Sequence, residues 1–516
     1  MTEAPNVLWI QTDEQRPDSL SCYGPQGSAS SWARTPALAG LAARGTVFQN
    51  AVCQSPVCVP SRASQLAARY PHEIGVLNNW ATSSTFPEGT VTFPEVFARA
   101  GYETVSFGKR HTPEHAVWQG GTTCGLLRDS AGFCALAEDY DEEAHHVVTR
   151  PGTPPLIVAG TYPEGQSNQS RVITDQAIAY LRDRGPGGAG GAPPFLLRVS
   201  HLWPHTPVLA PAPFDDLYDP DALPIRVFDE QAYRSRSRYD RTLACRDGMQ
   251  GLSEDEVRQV WTDYMGLCAY VDHEVGRLLA ALDDLGLRGD TIVVYSADHG
   301  KMLGAWGAGE KDAFDAEVWR VPFIWSWPGH IPEGVRVQAP CELIDTARTL
   351  LGLTGLEDAI PDGYRGRNLF ADDPPGAVFG ATRPEWYFPR DAQAMRVAVR
   401  TDRFRMDVTW SVDGSRPPLN AMDGNLFDLA DDPYETENRW DDAGYRDVRT
   451  ALIDRLAAWL EEAETDPRLL DPETAAAIWH PSPQALAGMK RQGLDIKVAG
   501  VDGWPPDDLD AGRLPA

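Results

Sequence analysis

The stretch Asn6-Val-Leu-Trp-Ile-Gln-Thr-Asp-Glu14 decides the fold, because an apolar run ends abruptly on two carboxylates. Further short apolar runs follow along the chain, separated by segments with helical periodicity. This alternation is typical of an α/β fold with a largely parallel sheet. The predicted strands are Asn6–Thr12, Thr104–Phe107, Phe195–Val199, Thr291–Ser296 and Pro322–Trp325. The predicted helices are Thr35–Ala43, Phe93–Ala100, Val172–Arg182 and Ser253–Leu285. We therefore expect a large α/β/α sandwich with a mostly parallel mixed sheet.

The C-terminal part of the chain has a different pattern. From about Gly376 it turns to short strands, Met395–Arg400 and Phe404–Thr409, and then to a helix, Tyr445–Glu464. A chain of 516 residues exceeds what one hydrophobic core usually serves. We predict a catalytic domain over 1–375 and a smaller α+β subdomain with a short antiparallel sheet over 376–470. A tail over 471–516 would wrap the surface or serve an interface, so a homo-oligomer is possible. The Gly- and Pro-rich run 184–194 is predicted to be a flexible surface loop.

Composition narrows the classes of function. The chain carries 74 Asp and Glu against 46 Lys and Arg, a formal charge of -28. Such a surface repels nucleic acid and anionic membranes, so an anionic substrate needs a local cluster of cations. No apolar run approaches the roughly 20 residues that cross a bilayer, and no signal peptide is apparent. The eight cysteines include no CxxC pair, which favours a reduced, cytoplasmic protein with buried thiols.

Polar side chains follow four of the predicted strands. In a parallel sheet these carboxyl ends meet at one edge, where ligands bind. The residues that follow the strands are Asp13 and Glu14, Lys109 and His111, His201 and His205, and Asp298 and His299. Hard carboxylate oxygens and one imidazole suit a divalent cation such as Ca²⁺, Mg²⁺ or Mn²⁺, and the absence of cysteine ligands disfavours structural zinc. Alternatively, Asp298 and His299 only cap the turn at Gly300.

The segment Cys58-Val-Pro-Ser-Arg62 stands at a predicted helix start. Pro60 fits the first helical position, and residues 63–69 have good helical propensity. Cys58 would then lie just before the helix N-terminus, where free backbone N–H groups favour an anion. Taken alone, the pattern fits either a nucleophilic thiolate of low pKa or a buried cysteine beside a helix.

Several motifs in order along the chain resemble the type I sulfatase family within the alkaline phosphatase superfamily, close to the arylsulfatases and phosphonate monoester hydrolases. The pentapeptide at 58–62 matches that family's signature for conversion of cysteine to formylglycine. The similarity runs through most of the chain. The other matching segments are Asn6–Asp13, Gly101-Tyr102 with Gly108–His111, Pro204–Pro207, Ser296–Gly300, Lys311 with Trp319–Pro322, and Asn425–Pro433 with Glu435 and Asn438.

The resemblance implies an alkaline-phosphatase-like fold and a metal-dependent hydrolysis of sulfate esters. Cys58 would be oxidised to formylglycine by a formylglycine-generating enzyme that acts on the unfolded chain. The hydrated aldehyde, a gem-diol, would attack a small anionic ester and form a covalent ester intermediate. One divalent metal, Ca²⁺ in the first place and Mn²⁺ or Mg²⁺ as alternatives, would be held by residue 58 together with Asp13, Glu14, Asp298 and His299.

The resemblance also implies roles for the basic residues. Arg62 and Lys109 would hold the diol, and His111 would take its second proton when the intermediate collapses to the aldehyde. Lys311 and His205 would bind the ester oxygens, and one of them would assist the leaving group. These are the local cations that an acidic protein needs for an anionic substrate.

Some positions are weaker candidates or depart from the family pattern. Asn78 is a further candidate for a contact to a substrate oxygen. Trp80, His201, Trp203 and Trp306 lie near the motifs, either lining a leaving-group pocket or filling the core. Glu14 stands where the family has Asp or Gln, Arg110 where Trp is frequent, and Ala67-Ala68 where Thr-Gly is usual.

Two alternatives to a sulfatase remain open at this point. Phosphonate monoester and phosphodiester hydrolases share the pentapeptide and often the Asp-His pair, so the preference for sulfate is not encoded there. A catalytically silent protein that binds a metal or an anion through an unmodified Cys58 belongs to a different class. The leaving group, whether aryl, alkyl or carbohydrate, is not identified by the sequence.

Overall fold

The computed structural model describes residues 4–23, 31–80, 85–113, 118–122, 147–150, 156–162, 168–185, 192–225 and 228–480. The predicted loop at 184–194 and the predicted tail lie partly outside these residues. The strands are β1 (Asn6–Thr12), β2 (Thr46–Val52), β3 (Glu103–Gly108), β4 (Val147–Arg150), β5 (Leu156–Thr161), β6 (Phe195–Ser200), β7 (Val208–Ala210), β8 (Thr291–Ala297), β9 (Phe323–Ser326), β10 (Val335–Glu342), β11 (Val378–Thr382), β12 (Ala394–Arg400), β13 (Phe404–Ser411) and β14 (Gly424–Asp428).

The observed helices are α1 (Pro36–Ala43), α2 (Cys58–Ala67), α3 (Phe93–Arg99), α4 (Gln169–Asp183), α5 (Glu230–Ser235), α6 (Arg238–Asp247), α7 (Glu254–Asp284), α8 (Ala316–Trp319), α9 (Asp345–Leu353), α10 (Arg446–Glu462), α11 (Pro467–Leu470) and α12 (Pro472–Trp479). The predicted helices correspond to α1, α3, α4, α7 and α10 and agree with them to within three residues at each end. The longest, α7, starts at a capping box in which the Ser253 hydroxyl accepts from the Glu256 backbone N–H and the Glu256 carboxylate accepts from the Ser253 N–H. Among the described residues, no helix is long and apolar enough to cross a bilayer.

The main sheet is mixed but mostly parallel, as predicted. Within the described residues it has seven strands in the order β10-β2-β9-β8-β1-β6-β3. Strands β8, β1, β6 and β3 are parallel neighbours, so their carboxyl ends lie side by side at one edge. The short β9 runs antiparallel to both β8 and β2.

Two strands of this sheet, β2 and β10, were not predicted. β2 carries Gln49 and Asn50 in its centre, which breaks the apolar run. β10 lies at the edge of the sheet with an exposed first half, and its register shifts before Pro340. Proline donates no ladder hydrogen bond and is found at edges and bulges, so a hydrophobicity pattern does not reveal such a strand.

Helices cover both faces of the sheet. One face, with Ile10, Val199 and Tyr295, packs against α7 and its neighbours. The opposite face, with Trp9 and Leu196, packs against α3 and α9. Because both faces are covered, the four parallel strands β1, β3, β6 and β8 are buried along almost their whole length, which explains why they appear in the sequence as continuous apolar runs. The α/β/α sandwich is therefore confirmed.

The C-terminal part forms an antiparallel sheet of four strands, β11-β12-β13-β14, within the described residues. Its core contains Met395 and Trp410 from the sheet, Trp459 from α10 and the fully buried Trp479 from α12. The predicted α+β subdomain is confirmed as a fold. Residues 472–479 pack into the same core, whereas residues 481–516 lie outside the described part.

A buried network of charges joins this sheet to the part of the chain that forms the main sheet. Arg405 of β13 pairs with Glu435 at 2.6 Å and with Asp315 at 3.3 Å, and all three side chains are buried. Arg396 of β12 donates to the Ser237 hydroxyl at 3.1 Å. Removing one partner of such a buried set costs folding free energy, so the network fixes the C-terminal part against the part that carries the main sheet.

Candidate active site

The four strand ends meet as predicted, around the start of α2. The ligand atoms of Asp13 after β1, Asp298 and His299 after β8, and Cys58 at the start of α2 all lie within 4.8 Å of one another. All four residues are fully buried. Strand topology accounts for the convergence, because β1 and β8 are parallel neighbours in register from Asn6 and Thr291 onward.

Cys58 lies at the centre of this group. Its Sγ is 3.2 Å from His299 Nε2, 3.4 Å from Lys311 Nζ and 3.7 Å from Asp13 Oδ1. Burial alone would raise the pKa of the thiol, but the positive charges of Lys109, Lys311 and His299 outweigh it and hold the pKa well below its usual value. Cys53 shows the opposite effect, since burial raises the pKa of its thiol well above its usual value.

The start of α2 differs from the prediction by two residues. The helix begins at Cys58 itself, with the extended Val57 before it, so Pro60 is the third helical residue and not the first. The missing N–H of proline costs nothing there either, because the first four N–H groups of a helix have no partner within the helix. Cys58 thus sits in the first turn, where the helix dipole favours a negative charge.

Arg62 stands one turn after Cys58 and binds the two carboxylates. Its Nε donates to Asp298 Oδ2 at 2.7 Å and its Nη2 to Asp13 Oδ2 at 3.1 Å, and none of the three side chains is exposed. Lys109 also contacts Asp13 Oδ2. In this arrangement, Arg62 and Lys109 neutralise the carboxylates. Their predicted contact with a gem-diol stays a prediction.

His111 reaches the same centre. It hydrogen-bonds to Cys58, and burial together with Lys109 lowers the pKa of its imidazole to about 4. Its backbone has a positive φ of 44°, and Glu14 and Asp312 likewise have φ values of 60° and 79°. Non-glycine residues in this region carry strain that the surrounding packing must hold, and such residues concentrate at functional sites.

Glu14 contacts both of the predicted ester-binding residues, Lys311 and His205. Its Oε1 lies 2.5 Å from Lys311 Nζ and 3.2 Å from His205 Nε2, and these two nitrogens are 3.1 Å apart. Burial would raise the pKa of the Glu14 carboxyl, but His205, Lys301 and Lys311 hold it well below its usual value. Lys311 and His205 are 14% and 15% exposed, so they form the solvent edge of an otherwise buried site.

Lys301 was not among the predicted site residues. Its ammonium lies 2.9 Å from Glu14 Oε2, 2.9 Å from Glu310 Oε2, and in contact with the Thr206 hydroxyl. Only 3% of its side chain is exposed. A signal was available: the chain has five lysines, and three of them, at 109, 301 and 311, meet here. Lysine is rarely buried without a charged partner, so its scarcity elsewhere pointed to these positions.

Asn78 has its side-chain amide engaged by main-chain groups. Its Nδ2 donates to Arg383 O at 3.1 Å and to Trp479 O at 2.8 Å, and its Oδ1 accepts from the Trp80 N–H at 3.2 Å. These contacts hold the C-terminal part in place. A contact between Asn78 and substrate stays a prediction.

The three tryptophans and one histidine named as possible pocket residues differ in how far they are buried. Trp203 packs against Tyr162 and Tyr270 in one core, and Trp306 lies in another, so both act as core residues. His201 is also fully buried. Trp80 alone of this set is half-buried and reaches the surface.

The donors present fit a divalent cation. Two carboxylates and one imidazole converge with residue 58 in a buried cluster, and hard oxygen donors with few nitrogens suit Ca²⁺, Mn²⁺ or Mg²⁺. Glu14 belongs to an adjoining group with Asp13 and His205, and both of its oxygens face ammonium groups. Ligation by Glu14 therefore stays a prediction.

Comparison with known proteins shows the family to which this chain is similar. The family model described as "Sulfatase" matches residues 5–356, and the model for the C-terminal part of N-sulphoglucosamine sulphohydrolase matches residues 304–462. An ulvan-active sulfatase of Formosa agariphila is 31% identical over 373 residues, which cover 71% of this chain and 64%, just under two thirds, of that relative. Human iduronate 2-sulfatase is 27% identical, with 88% of this chain and 94% of that protein covered.

Solved structures agree on the fold. The phosphonate monoester hydrolase of Silicibacter pomeroyi superposes with a TM-score of 0.73 at 22% identity and covers 89% of this chain and 96% of its own. At that level of identity the match establishes the shared architecture and not the substrate.

Proposed function

This protein belongs to the sulfatase family, a family of sulfuric ester hydrolases, and we propose that it cleaves sulfate esters with a formylglycine made from Cys58. One hydroxyl of the hydrated aldehyde would attack sulfur and displace the alcohol, forming a covalent sulfate ester. Loss of the proton from the second hydroxyl would then expel sulfate and restore the aldehyde, which water rehydrates. The observation that carries the proposal is the convergence of three cationic side chains and two carboxylates on this single buried cysteine. By contrast, burial raises the pKa of the thiols of Cys22, Cys53, Cys268 and Cys341.

The basic residues of the site have different roles in substrate binding and in proton transfer. Lys311 and His205, at the solvent edge, bind the ester oxygens, and one of them protonates the leaving oxygen. Arg62 and Lys109 orient residue 58, and His111, which hydrogen-bonds to position 58, takes the proton when the intermediate collapses. Glu14 holds Lys311 and His205 at their positions through its Oε1.

One divalent cation, Ca²⁺ in the first place, would be held by Asp13, Asp298, His299 and residue 58, with Glu14 as a further candidate. When bound, it would lower the pKa of the attacking hydroxyl and neutralise the anionic ester. The buried donor cluster supports this assignment, and the choice between Ca²⁺, Mn²⁺ and Mg²⁺ is a matter for metal analysis.

The decisive experiment is peptide mass spectrometry across Cys58. Cleavage at Arg44 and Arg62 yields one peptide that contains both Cys53 and Cys58, so Cys53 is an internal control. We expect fragment ions that place a loss of about 18 Da at position 58 and an alkylatable thiol at position 53. Because the hydrated aldehyde nearly matches the thiol in mass, a hydrazine trap is needed. An alkylatable thiol at 58 after co-expression with a formylglycine-generating enzyme would refute the proposal and favour a silent relative.

The second candidate is hydrolysis of phosphonate monoesters or phosphodiesters by the same nucleophile. It is favoured by the Asp298-His299 pair and by the fold shared with a phosphonate monoester hydrolase. We propose to measure kcat/KM on 4-nitrophenyl sulfate and on a phenyl phosphonate monoester with the same enzyme preparation. A higher value for the phosphonate would reverse the order of the two candidates.

A further inference from the structure

The guanidinium of Arg62 is held from two sides. Its Nε and Nη2 donate to the carboxylates of Asp298 and Asp13, which belong to the buried donor cluster around residue 58. Its Nη1 points away from them and donates to Ser200 Oγ at 2.9 Å and to Gln11 Oε1 at 3.3 Å. Because a guanidinium is rigid and planar, the acceptors on this second side also set the angle at which Arg62 meets the two carboxylates.

Gln11 lies near the end of β1, two residues before Asp13. Side chains two residues apart along a strand point to the same face, which is why both residues meet Arg62. The end of one strand therefore supplies a carboxylate to one side of the guanidinium and an amide oxygen to the other. Gln11 is fully buried, so its contacts with Arg62 lie in a region of low dielectric, where a hydrogen bond is stronger than in water.

Arg198 of β6 donates to the same amide oxygen. Its Nη2 contacts Gln11 Oε1, and its guanidinium carbon lies 4.8 Å from the centre of the Trp9 ring. Arg198 is fully buried, and within the part of the chain that the structure describes its Nε and Nη1 have no hydrogen-bond partner. A buried polar group without partners costs folding free energy, so packing alone does not account for an arginine at this position.

The two arginines fix the direction in which the Gln11 amide faces. A guanidinium has only donors, so the Gln11 atom that meets both Arg62 and Arg198 has to be the oxygen. The amide nitrogen then faces the other way and donates to Gln65 Oε1 at 2.8 Å. Gln65 in turn donates through its Nε2 to Thr346 Oγ1 of α9 at 3.1 Å. The hydrogen-bond chain Arg62-Gln11-Gln65-Thr346 therefore has a single orientation throughout.

We propose that Gln11 is a positioning residue: fixed by Arg198 and Gln65, it holds Arg62 at the angle at which Arg62 orients residue 58 for attack. The inference rests on the proposed sulfatase function and adds a residue to its machinery. Gln11 acts only through Arg62, since its amide atoms are both occupied within the protein. It also gives Arg198 a role, because a buried donor is what keeps the amide oxygen of Gln11 turned toward Arg62.

The experiment compares two replacements of Gln11. Gln11→Met keeps the length of the side chain and removes both hydrogen-bonding atoms, so that Arg62 Nη1 retains the Ser200 hydroxyl and the Lys109 carbonyl. Gln11→Glu keeps an oxygen for both arginines and loses only the donor to Gln65. The readouts are kcat and KM on 4-nitrophenyl sulfate, measured on folded protein from gel filtration and expressed per trapped aldehyde at position 58.

We expect Gln11→Met to lower kcat about tenfold, which is about 1.4 kcal/mol in activation free energy. Its KM should stay within about twofold of the wild type, because a misplaced orienting group slows the chemical step and not binding. Gln11→Glu should restore kcat to within about threefold of the wild type, since its oxygen still accepts from Arg62. A glutamine with a merely structural role would change the unfolding midpoint and leave kcat per folded, aldehyde-bearing molecule as it was.

Two threonines of α9 provide a matched control. Thr346→Val removes the far end of the hydrogen-bond chain. Thr349→Val removes an equally buried hydroxyl one turn later, which accepts from the Leu369 N–H at 3.0 Å and donates to Arg367 O at 3.4 Å, both outside the chain of four. We expect kcat to fall about threefold in Thr346→Val, because Gln65 then loses its acceptor, and to stay at the wild-type value in Thr349→Val.

Three outcomes would overturn the inference while the sulfatase function stands. They are a wild-type kcat per aldehyde in Gln11→Met, a Gln11→Glu variant as slow as Gln11→Met, and equal effects of the two threonine replacements. The failure of the proposed function has a different signature. If the wild-type enzyme with a trapped aldehyde at position 58 releases no sulfate from 4-nitrophenyl sulfate, the sulfatase proposal itself is refuted and this inference falls with it.

Discussion

Replacing Lys301 with methionine tests whether the buried lysine that sequence reasoning missed is essential to the site. Its ammonium lies 2.9 Å from both Glu14 Oε2 and Glu310 Oε2, and 3% of the side chain is exposed. Methionine has nearly the same length and removes only the charge and its hydrogen bonds. Glu14 would keep its contacts with Lys311 and His205, whereas Glu310 would lose its ammonium contact and keep the Thr206 hydroxyl, so its negative charge would be less well compensated.

The size of the effect follows from this count of charges. Removing one partner of a buried pair typically costs about 3–5 kcal/mol of folding free energy. Glu310 is 20% exposed and can regain water, and Glu14 keeps its 2.5 Å contact with Lys311. We therefore expect Lys301→Met to lower the free energy of unfolding by about 3 kcal/mol, the lower end of that range.

Equilibrium unfolding in urea, followed by tryptophan fluorescence, measures this difference. The matched control is the double variant Lys301→Met with Glu310→Gln, in which the Glu310 charge is removed together with the ammonium that compensates it. We expect it to be more stable than the sum of the two single changes predicts, with a coupling of about 1–2 kcal/mol. A loss below about 1 kcal/mol in the single variant, or strict additivity in the cycle, would refute the reasoning.

Three further predictions concern acidity, anion binding and metal. Burial and Asp345 raise the pKa of Glu342 from 4.5 to about 8, so the folded chain binds more protons there than the unfolded chain. The free energy of unfolding should therefore fall as pH rises from 4.5 toward 8. Urea titrations at pH 5 and pH 8 should show a smaller fall for Glu342→Gln than for the wild type, and an equal fall in both proteins would contradict the prediction. Lys311→Ala should weaken inhibition by sulfate while the metal content by mass spectrometry stays at the wild-type level, and loss of metal would mean that its role is assigned wrongly. Chelation with EDTA should abolish activity and lower the unfolding midpoint, because a ligand that binds only the folded state stabilises it by about 2.7 kcal/mol at a hundred times its Kd. Added Ca²⁺ or Mn²⁺ should restore the activity and the midpoint, and equal midpoints with and without metal would contradict the metal site.

The features that depend on neighbouring residues in the chain could be predicted without a structure. The strand Asn6–Thr12 has the bounds that its apolar pattern predicts, and Asp13, Lys109 and Asp298 follow adjacent parallel strands. A buried parallel strand needs a continuous apolar run, and polar groups cannot follow until the strand leaves the core. Because this constraint acts on consecutive residues, both the fold class and the sheet edge that carries the site could be predicted from the sequence.

Other features depend on residues far apart in the chain. Lys301 meets Glu14 across 287 positions, and Arg383 of the C-terminal part meets Asn78 across 305. No local pattern encodes such a contact, because it exists only after the strands have been ordered in the sheet. For the same reason the engagement of Asn78 by main-chain carbonyls could not be foreseen, nor could the edge strand Val335–Glu342.

The sequence by itself therefore determined the chemistry available to this protein: a cysteine at a helix start, carboxylates and imidazoles at strand ends, and an α/β sandwich to hold them. Only the tertiary structure determined which partner each of these groups contacts. It paired Arg62 with two carboxylates and gave Glu14 two lysine partners. The physical reason is that residue type sets what a side chain can donate, accept or ionise, whereas the partner it finds is fixed by long-range packing.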